Sequence, residues 1–383
     1  MATNTMVKQF KVVKYLGKGA YSKVFEVISQ DVNTDIDKRY AVKKYFLETV
    51  IAMKRAIREH HILRRLTTEI TQSSFFPNMS YSTLFYGFPL IFMTKASDIN
   101  LFHVLKCFSR LLLEDAKFYC CEVLCGLKQL HALGIVHLDI KPENILIAES
   151  GHIMISDFDC AYDMISNLGP PRAEDYMGTP LYMAPEITTR RLIAFETDIW
   201  NVGSMMLRMV PGDIRRYFDG DFPQPFRCRY TVTGLGQNSQ ALESFFNACL
   251  AYEPSNRPTV ETIRQLEFFA DVNWEAVASL SQPPPFTPTY LRKEFEEIGI
   301  MPHPATVGGA SSIHNGFPFD SIDLQIGISE ETYLVNATSD NFDDFHGKRL
   351  SRETCEGLRR IFNLINEKEV NITKNNNNSR GRQ

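Results

Sequence analysis

Five segments in the first hundred residues carry the apolar pattern that is typical of β-strands. They are residues 10–17, a β-rich run that ends at Ile28, and residues 40–44, 81–86 and 88–93. Between the third and the fourth, residues 47–66 have helical character. This order predicts a five-stranded antiparallel sheet that is accompanied by one long helix.

From residue 98 onwards the pattern favours helices. Residues 98–107 and 113–133 are predicted helices, and the second has apolar side chains at helical spacing. These side chains belong to Phe118, Val123, Leu124, Leu127 and Leu130. A short hairpin is predicted over residues 145–156, and residues 239–251 and 258–269 are predicted to form closing helices. The chain is therefore predicted to be an α+β protein with a mainly helical second part.

Composition narrows the class of protein. The chain has 383 residues, enough for two compact units and an extension, and its net charge of -4 gives no sign of nucleic-acid binding. The eight cysteines form no CxxC pair with a matching second pair, which favours buried, reduced thiols over a metal site. The first ten residues lack a signal-peptide core, and no apolar run approaches the ~18 residues of a membrane span. We expect a protein of the cytoplasm or nucleus, with no direct sign of a membrane partner.

Residues 137–144, HLDIKPEN, join the predicted helix 113–133 to the predicted hairpin. Asp139 can accept a hydroxyl proton, Lys141 can neutralise a transferring phosphoryl group, and Asn144 can hold a metal ion. A polar loop between a helix and a strand would have a similar composition without any chemistry. The segment resembles the catalytic loop of protein kinases, and other segments match the same family in the same order.

The predicted small lobe contains further kinase-like features. Residues 17–24, GKGAYSKV, resemble the glycine-rich loop that covers nucleotide phosphates, with Ser22 in place of the third glycine. Lys43 lies in an apolar strand and resembles the lysine that holds the α- and β-phosphates. Glu59 resembles its ion-pair partner on the family's αC helix. A hairpin turn, a strand-edge lysine and a solvated helix face are the alternatives for these features.

The resemblance implies an ATP site between two lobes. Met93 matches the gatekeeper, and residues 94–97 match the hinge. Asn100 stands where related kinases have a glutamate that contacts ribose and a basic substrate residue, which argues against a strong preference for basic substrates. The implied nucleotide-binding residues are Leu16, Gly17, Lys18, Gly19, Ala20, Tyr21, Ser22, Val24, Ala41, Lys43, Met93, Lys95, Asn100, Glu143 and Leu146.

Asp157-Phe158-Asp159 resembles the DFG segment of the family, whose first residue binds Mg²⁺. The implied Mg²⁺ ligands are Asn144 and Asp157. Asp159 replaces the glycine, which in the family permits a backbone flip. Three interpretations follow, namely an active enzyme with stiffened switching, an altered metal preference, or lost activity. We favour the first, because the substitution removes no ligand.

Residues 178–186, GTPLYMAPE, are close to the segment that ends the activation loop of serine/threonine kinases. Together with Lys141, Thr179 favours serine and threonine over tyrosine substrates. The implied catalytic residues are Asp139, Lys141, Lys43, Glu59 and Thr179. Two structural contacts are also implied, since Glu186 is expected to pair with Arg257 and Asp198 is expected to cap the catalytic-loop backbone.

The resemblance covers residues 10–270, and the C-terminal extension narrows it to the AGC group of kinases. It implies a two-lobed protein kinase fold, with a five-stranded antiparallel sheet and the αC helix in the small lobe and mainly helices in the large lobe. The expected divisions are an N-terminal extension at 1–9, the small lobe at 10–93, the hinge at 94–97, the large lobe at 98–270, an AGC-like tail at 271–346 and a terminal segment at 347–383.

The activation loop departs from the family pattern. Leu138 stands where many kinases have an arginine that grips a phosphothreonine, and Asp175 stands at the position of that threonine. We therefore expect no need for phosphorylation at this site. The alternative for Ala173-Glu174-Asp175 is a mobile, solvated loop.

The C-terminal part of the chain carries four predicted features. The proline-rich stretch 283–288 predicts an extended strap. Phe342-Asp343-Asp344-Phe345 resembles the FxxF motif, which implies that the tail docks in cis on the small lobe; two phenylalanines in an acidic disordered stretch are the alternative. Residues 351–367 predict an amphipathic helix, and the Asn-rich terminus is predicted to be disordered.

Together the motifs imply transfer of the γ-phosphate of ATP to serine or threonine hydroxyls of a protein substrate, with Mg²⁺ as cofactor. The main alternative is a pseudokinase that binds ATP as a scaffold, which Asp159 and Leu138 support. A small-molecule phosphotransferase is disfavoured by residues 178–186 and by the AGC-like tail.

Overall fold

The computed structural model describes residues 6–30, 38–47, 49–70, 73–85, 87–166, 170–219, 227–299, 324–328, 352–362 and 364–365. No helix within these ranges has the length and apolar character that crossing a membrane requires. The chain divides into two compact units. Unit 1 comprises residues 1–71, 77–95 and 303–383, and unit 2 comprises residues 72–76 and 96–302.

Within the described ranges the chain forms strands, α-helices and short 3-10 turns. The strands are β1 (Met6–Lys18), β2 (Ser22–Gln30), β3 (Lys38–Tyr45), β4 (Met79–Phe85), β5 (Phe88–Thr94), β6 (Ile135–Val136), β7 (Ile145–Ile147), β8 (Ile153–Ile155), β9 (Tyr162–Asp163), β10 (Asp213–Asp219), β11 (Arg227–Thr233), β12 (Leu324–Ile328) and β13 (Leu364–Ile365). The α-helices are α1 (Val50–Glu69), α2 (Leu101–Phe108), α3 (Leu113–Ala132), α4 (Pro185–Thr188), α5 (Glu196–Met209), α6 (Asn238–Cys249), α7 (Trp274–Ala278), α8 (Pro288–Glu297) and α9 (Arg352–Ile361).

Unit 1 is built on an antiparallel sheet with the strand order β1-β2-β3-β5-β4. Because successive side chains of a strand point to opposite faces, Tyr40 and Val42 of β3 enter an apolar cluster while Lys43 faces the other side. The cluster also contains Phe10, Val27, Tyr81, Leu90 and Phe92. Helix α1 begins after Thr49, whose hydroxyl oxygen accepts a hydrogen bond of 3.1 Å from Ala52 N. The predicted five-stranded sheet with one long helix is confirmed.

Two strands from the C-terminal part of the chain extend this sheet at both of its edges. β12 pairs with β1 through Met6–Phe10, and β13 pairs with β4 through Tyr81 and Ser82. These pairings cover backbone edges that would otherwise be open to other chains.

Next to β13, the end of α9 packs on α1. The ring of Phe362 lies 4.8 Å from the ring of His60, and Phe362 is only 1% exposed. The predicted amphipathic helix 351–367 is thus shorter than expected, because it ends at Ile361 and the chain turns into β13. The FxxF motif, residues 342–345, lies outside the described ranges.

Unit 2 is mainly helical, as predicted. Helix α3 occupies the predicted segment 113–133 except for its last residue, and of its predicted apolar positions Val123, Leu124, Leu127 and Leu130 are buried, whereas Phe118 is partly exposed. Helix α5 is also largely buried. The β7–β8 hairpin follows the catalytic loop at once, so β8 leads directly to Asp157. The loop at 137–144 and Asp157 therefore lie at the two ends of one short hairpin.

One prediction for unit 2 is wrong. Residues 258–269 form only the 3-10 turns Ile263–Gln265 and Glu267–Phe269, because Leu266 between them has an extended backbone with φ -64° and ψ 145° that interrupts a helix. The strap predicted over 283–288 stays a prediction: its residues up to Thr287 form no helix, Thr287 caps α8, and Pro288 is the first residue of that helix.

The β10–β11 hairpin was not predicted from the pattern. Its strands pair in register from Asp213 opposite Thr233 to Asp219 opposite Arg227. Tyr230 and Val232 are buried, and Tyr230 contacts Phe246 of α6 with ring centroids 6.1 Å apart. The hairpin thus depends on packing against a helix that follows it in the chain.

Candidate active site

Lys43 and Glu59 form a buried ion pair in unit 1. Lys43 Nζ lies 2.7 Å from Glu59 Oε2, and the two side chains are 7% and 2% exposed. Tyr45 lies on the same face of β3 as Lys43, and its hydroxyl donates a hydrogen bond to the same carboxylate. Because a buried ion pair is stable only when further hydrogen bonds offset its desolvation, Tyr45 supports the geometry of the pair.

The glycine-rich segment forms the tight end of the β1–β2 hairpin. Gly19 N donates a hydrogen bond of 2.9 Å to Ser22 O, and a Cβ atom at Gly19 would lie 2.9 Å from Ser22 Oγ. Gly17 lies opposite Val24 across the hairpin. The hairpin therefore carries more than half of the predicted nucleotide-binding residues, namely Leu16, Gly17, Lys18, Gly19, Ala20, Tyr21, Ser22 and Val24.

The predicted adenine-side residues of unit 1 lie on β3, on β5 and just after β5. Ala41 and Met93 are directly opposite each other on β3 and β5, and both are buried. Alternation along β3 puts Ala41 on the same face as Lys43. Lys95 lies with its Nζ 3.8 Å from Glu26 Oε2 of β2.

In unit 2, two side chains and one backbone amide hold the Asp139 carboxylate. Lys141 Nζ donates to Asp139 Oδ2 at 2.6 Å, and Asn144 Nδ2 donates to the same oxygen at 3.1 Å. Thr179 N donates to Asp139 Oδ1 at 2.7 Å, and Thr179 Oγ1 accepts a 2.6 Å hydrogen bond from Lys141. Asp139 is 5% exposed, so these contacts fix the orientation of a nearly buried carboxylate.

The charge of Lys141 is stabilised by the carboxylates around it. Burial acts to lower the pKa of Lys141, but the charge and hydrogen bond of Asp139, together with the charges of Asp157 and Glu143, raise its pKa overall. Lys141 therefore remains protonated and can neutralise negative charge that develops on a transferring group.

Asn144 and Asp157 supply oxygen donors beside this network. Asn144 Nδ2 is directed to Asp139 O at 2.8 Å, which leaves its amide oxygen as the acceptor for a cation. The described residues contain no group of three or more His, Cys, Asp or Glu side chains that could hold a metal ion. One amide oxygen and one carboxylate nevertheless fit Mg²⁺, which takes few protein ligands and completes its shell with water and phosphate oxygens.

The backbone conformation at Asp157 and Asp159 shows how the chain accommodates an aspartate where the family has a glycine. Asp157 has a φ of 67°, in the left-handed region, whereas Asp159 is not among the described residues with positive φ. An aspartate at position 159 therefore fits this conformation without the strain that a left-handed backbone would impose.

Asn100, Glu143 and Leu146 lie together in unit 2. Asn100 forms an isolated β-bridge with Leu146, and its Nδ2 donates to Glu143 O at 3.1 Å. Its side-chain oxygen also caps α2 by accepting from His103 N at 3.0 Å. Glu143 Oε2 is buried, and no described residue donates a hydrogen bond to it. A buried acceptor without a donor is costly, so this oxygen is suited to a ligand that brings one.

Asp198 of α5 holds the backbone of the catalytic loop. Its two carboxylate oxygens accept hydrogen bonds from His137 N at 2.9 Å and Leu138 N at 2.8 Å. His131 Nε2 lies 2.9 Å from Asp198 Oδ2. The predicted cap is confirmed, and it supports Leu138 in a left-handed conformation with a φ of 67°.

Comparison with known proteins identifies the family. The model of a family described as "Protein kinase domain" matches residues 10–269. The chain belongs to the protein kinase family. Its relatives agree with the serine/threonine type and the AGC-like character that the motifs indicate.

Three relatives illustrate this similarity. Human ribosomal protein S6 kinase alpha-2 is 31% identical over 294 residues, which cover 75% of this chain and 39% of the relative. The 3-phosphoinositide-dependent protein kinase B of Dictyostelium discoideum is 30% identical over 294 residues, 72% of this chain and 30% of the relative. Ribosomal protein S6 kinase alpha-1 of Rattus norvegicus is 27% identical over 367 residues, 89% of this chain and 48% of the relative. The chain thus matches less than half the length of each.

The kinase contains the predicted Glu186–Arg257 pair. Arg257 donates to the two oxygens of Glu186 at 2.6 and 2.7 Å, and neither side chain is exposed. Thr197 of α5 donates a third hydrogen bond of 3.0 Å to Glu186. This pair connects the end of the activation segment to the chain that follows α6, so it stabilises the segment that carries Thr179.

Sequence reasoning missed an apolar cluster around Leu138 in this kinase. Leu138 is 1% exposed and packs among buried side chains of the catalytic loop, β9 and the activation segment. Tyr176 and Met177, which directly follow Asp175, are partly buried against the same cluster. The cluster contains Val136, Leu138, Cys160, Tyr162, Ala184, Ile187 and Ile193. The sequence contains one indication of this cluster, because Leu138, an apolar residue, stands where many kinases have an arginine.

Proposed function

We propose that this chain is an active, ATP-dependent serine/threonine protein kinase that transfers the γ-phosphate of ATP to protein hydroxyls. The observation that carries the proposal is the Asp139 carboxylate, which is held by Lys141, Asn144 and the Thr179 backbone. A carboxylate in that setting can orient a substrate hydroxyl and accept its proton. Lys141 beside it can stabilise the phosphoryl charge, which is where most of the rate enhancement of this reaction arises.

The nucleotide cofactor is proposed to be ATP with Mg²⁺, which protein kinases generally use. When bound, Mg²⁺ neutralises charge on the phosphates. Asn144 and Asp157 are the proposed ligands, and their oxygen donors suit this ion. Lys43, oriented by Glu59 and Tyr45, is proposed to bind the α- and β-phosphates. Glu143, whose carboxylate oxygen lacks a donor among the described residues, is proposed to accept a hydrogen bond from the nucleotide or substrate.

The domain boundaries are part of the proposal. The kinase domain is proposed to span residues 10–270, followed by an AGC-like tail at 271–346 and a terminal segment at 347–383. Support for the first range comes from the family match at 10–269.

Activity is proposed to be independent of phosphorylation at position 175. Leu138 is buried in an apolar cluster that also receives Tyr176 and Met177, so packing can order the activation segment where other kinases use an arginine and a phosphothreonine. Asp175 itself accepts a hydrogen bond of 2.8 Å from Arg172 N in a local turn. Full activity after phosphatase treatment, with no phosphate found by mass spectrometry in residues 163–177, is the expected result. An activating phosphate in that range would contradict the proposal.

The C-terminal part of the chain, the tail together with the terminal segment, is proposed to dock in cis on unit 1 and to hold α1. Support comes from Phe362, which is buried against His60, the residue that follows Glu59. Phe362→Ala is expected to lower kcat, whereas Ile361→Ala, at an exposed position next to it, serves as the matched control. Equal kcat values of the two variants would contradict this role of the C-terminal part.

The deciding experiment measures transfer of labelled γ-phosphate to a generic protein substrate. Asp139→Asn is expected to reduce the rate by about 10²–10⁴-fold, the range for loss of a general base, while ATP binding persists. Asp175→Asn is the matched control, because it removes one carboxylate that lies outside the site. Binding of ATP without any transfer by the unmodified chain would instead support the scaffold alternative.

The scaffold alternative rests on Asp159 and Leu138. Neither substitution removes a proposed ligand or a residue that contacts the Asp139 carboxylate. Asp159 has no positive φ, and Leu138 is packed in a well-defined cluster. These observations favour the active enzyme.

A further inference from the structure

Unit 1 contains a contact between the glycine-rich segment and α1 that no motif assigns. The guanidinium carbon of Arg55 lies 5.0 Å from the centre of the Tyr21 ring. A cation within about 6 Å of an aromatic face is attracted to it, and arginine also stacks on the ring plane. Tyr21 lies at the end of the β1–β2 hairpin, between Gly19 and Val24. The contact thus connects the hairpin end to the helix.

Arg55 and Glu59 are four positions apart on α1, so they lie on the same face of the helix. Glu59 from this face binds Lys43 at 2.7 Å, and Arg55 from the same face contacts Tyr21. A rotation or shift of α1 that breaks one contact would therefore also displace the other.

Backbone hydrogen bonds also connect the hairpin end to β3. Phe46 N donates to Tyr21 O at 2.9 Å, which attaches the hairpin end to the end of β3. Ser22 lies opposite Tyr45, and the Tyr45 hydroxyl donates to Glu59. Tyr21 is thus held by β3 through its backbone and by α1 through its ring.

Two features restrict the backbone of the hairpin end. The Gly19–Ser22 hydrogen bond closes it, and Ser22 occupies the position where kinases resembling this one have a third glycine. A stiffer hairpin transmits a displacement of Tyr21 to its neighbouring backbone N–H groups, which are the groups expected to approach phosphate oxygens.

We propose that the Tyr21–Arg55 contact positions the phosphate-binding hairpin only when α1 also holds Glu59 on Lys43, so that the two parts of the nucleotide site form together. Tyr21 and Arg55 are positioning residues. The inference rests on the proposed function, because its consequence is tighter binding of Mg-ATP.

The test is a double-mutant cycle on the full chain, with Mg-ATP as the probe. Tyr21→Leu and Arg55→Met are each expected to raise the Kd for Mg-ATP and the KM for ATP about two- to tenfold, with the KM for protein substrate unchanged. The double variant is expected to bind Mg-ATP no more weakly than the weaker-binding single variant, because either substitution alone already removes the shared contact. Tyr21→Phe retains the ring and is expected to bind more tightly than Tyr21→Leu. Lys54→Met, an exposed cation on the same helix, is the control that leaves the Kd unchanged.

A second cycle on urea unfolding separates the inference from the proposed function. Non-additive unfolding free energies together with non-additive Kd values support the inference. Additive unfolding free energies would show that the two side chains do not interact, and an unchanged Kd with non-additive unfolding would show a contact without a positioning role. If the unmodified chain does not bind Mg-ATP, the proposed function fails and the positioning role fails with it, whereas the unfolding cycle still reports on the contact itself.

Discussion

The backbone N–H of Thr179 donates a hydrogen bond of 2.7 Å to Asp139 Oδ1, although 40 positions separate the two residues. The carboxylate that we propose as the base is therefore oriented from the activation segment as well as from its own loop. Lys141 completes the connection, because its ammonium group binds both Asp139 and the Thr179 hydroxyl at 2.6 Å. Activity is expected to depend on Thr179 even though it carries no charge.

Replacement of Thr179 tests this connection. Thr179→Ala removes the hydroxyl acceptor of Lys141 but keeps the backbone bond, so kcat is expected to fall roughly ten- to a hundredfold, the value of a hydrogen bond to a charged group. Thr179→Ser retains the hydroxyl and is expected to keep most of the activity. Steady-state kinetics on both variants is the measurement, and equal losses in the two would contradict the assigned role.

The Glu186–Arg257 pair is expected to contribute strongly to stability. Arg257→Met leaves the buried Glu186 carboxylate without its partner, which should reduce the free energy of unfolding by about 3–5 kcal/mol. Arg191 and Glu253 form an ion pair of similar length, 2.8 Å, but both side chains are nearly half exposed. Arg191→Met is thus the matched control, with a much smaller expected loss, because solvent screens an exposed ion pair. Urea unfolding of the two variants side by side would refute this account if their losses were the same.

Leu138 is expected to behave as a core residue. Leu138→Ala should reduce the free energy of unfolding by about 2–5 kcal/mol through lost burial and a cavity. Leu112→Ala, at a position that is 73% exposed, should change it by less than about 0.5 kcal/mol. Leu138→Arg would bury a charge in the apolar cluster and should reduce the free energy of unfolding more than Leu138→Ala does. A stable Leu138→Arg variant would mean that the cluster does not determine the conformation of the loop.

The stability of the kinase is expected to depend on pH through His60. Burial, followed by the charges of Arg64 and His61, lowers the pKa of His60 from 6.5 to about 4. Between these values the unfolded chain binds a proton that the folded chain does not, so this residue makes stability fall as the pH drops from 6.5 towards 4. The slope from one such group is at most about 1.4 kcal/mol per pH unit.

His60→Gln removes this titration and keeps a polar group near Ser82 Oγ, to which His60 Nε2 is 2.9 Å distant. Unfolding free energies of the unmodified chain and of the variant, measured from pH 7.5 to 4.5, should converge as the pH falls. Parallel curves would show that His60 does not titrate in the folded protein at a lowered pKa.

Much of the fold was predictable because it follows from local pattern. The five strands and the helix of unit 1 lie where apolar alternation and helical spacing place them, and α3 differs from its prediction by one residue. The proximity of Asp139, Lys141 and Asn144 could likewise be predicted, because residues so close in one short loop are brought together by its backbone. Helix prediction failed at 258–269, where the extended backbone of Leu266 separates two 3-10 turns.

Sequence alone determined the protein family, the order of the five strands and the helix of unit 1, and the set of candidate site residues. Tertiary structure alone decided which distant side chains meet: Leu138 with Tyr176 and Met177, Tyr21 with Arg55, Tyr45 with Glu59, and Phe362 with His60. The physical reason is that element type depends on neighbours a few positions apart, whose periodicity is written in the chain. Contacts between distant residues depend on the packing of whole elements, to which each side chain contributes only a small share of the free energy.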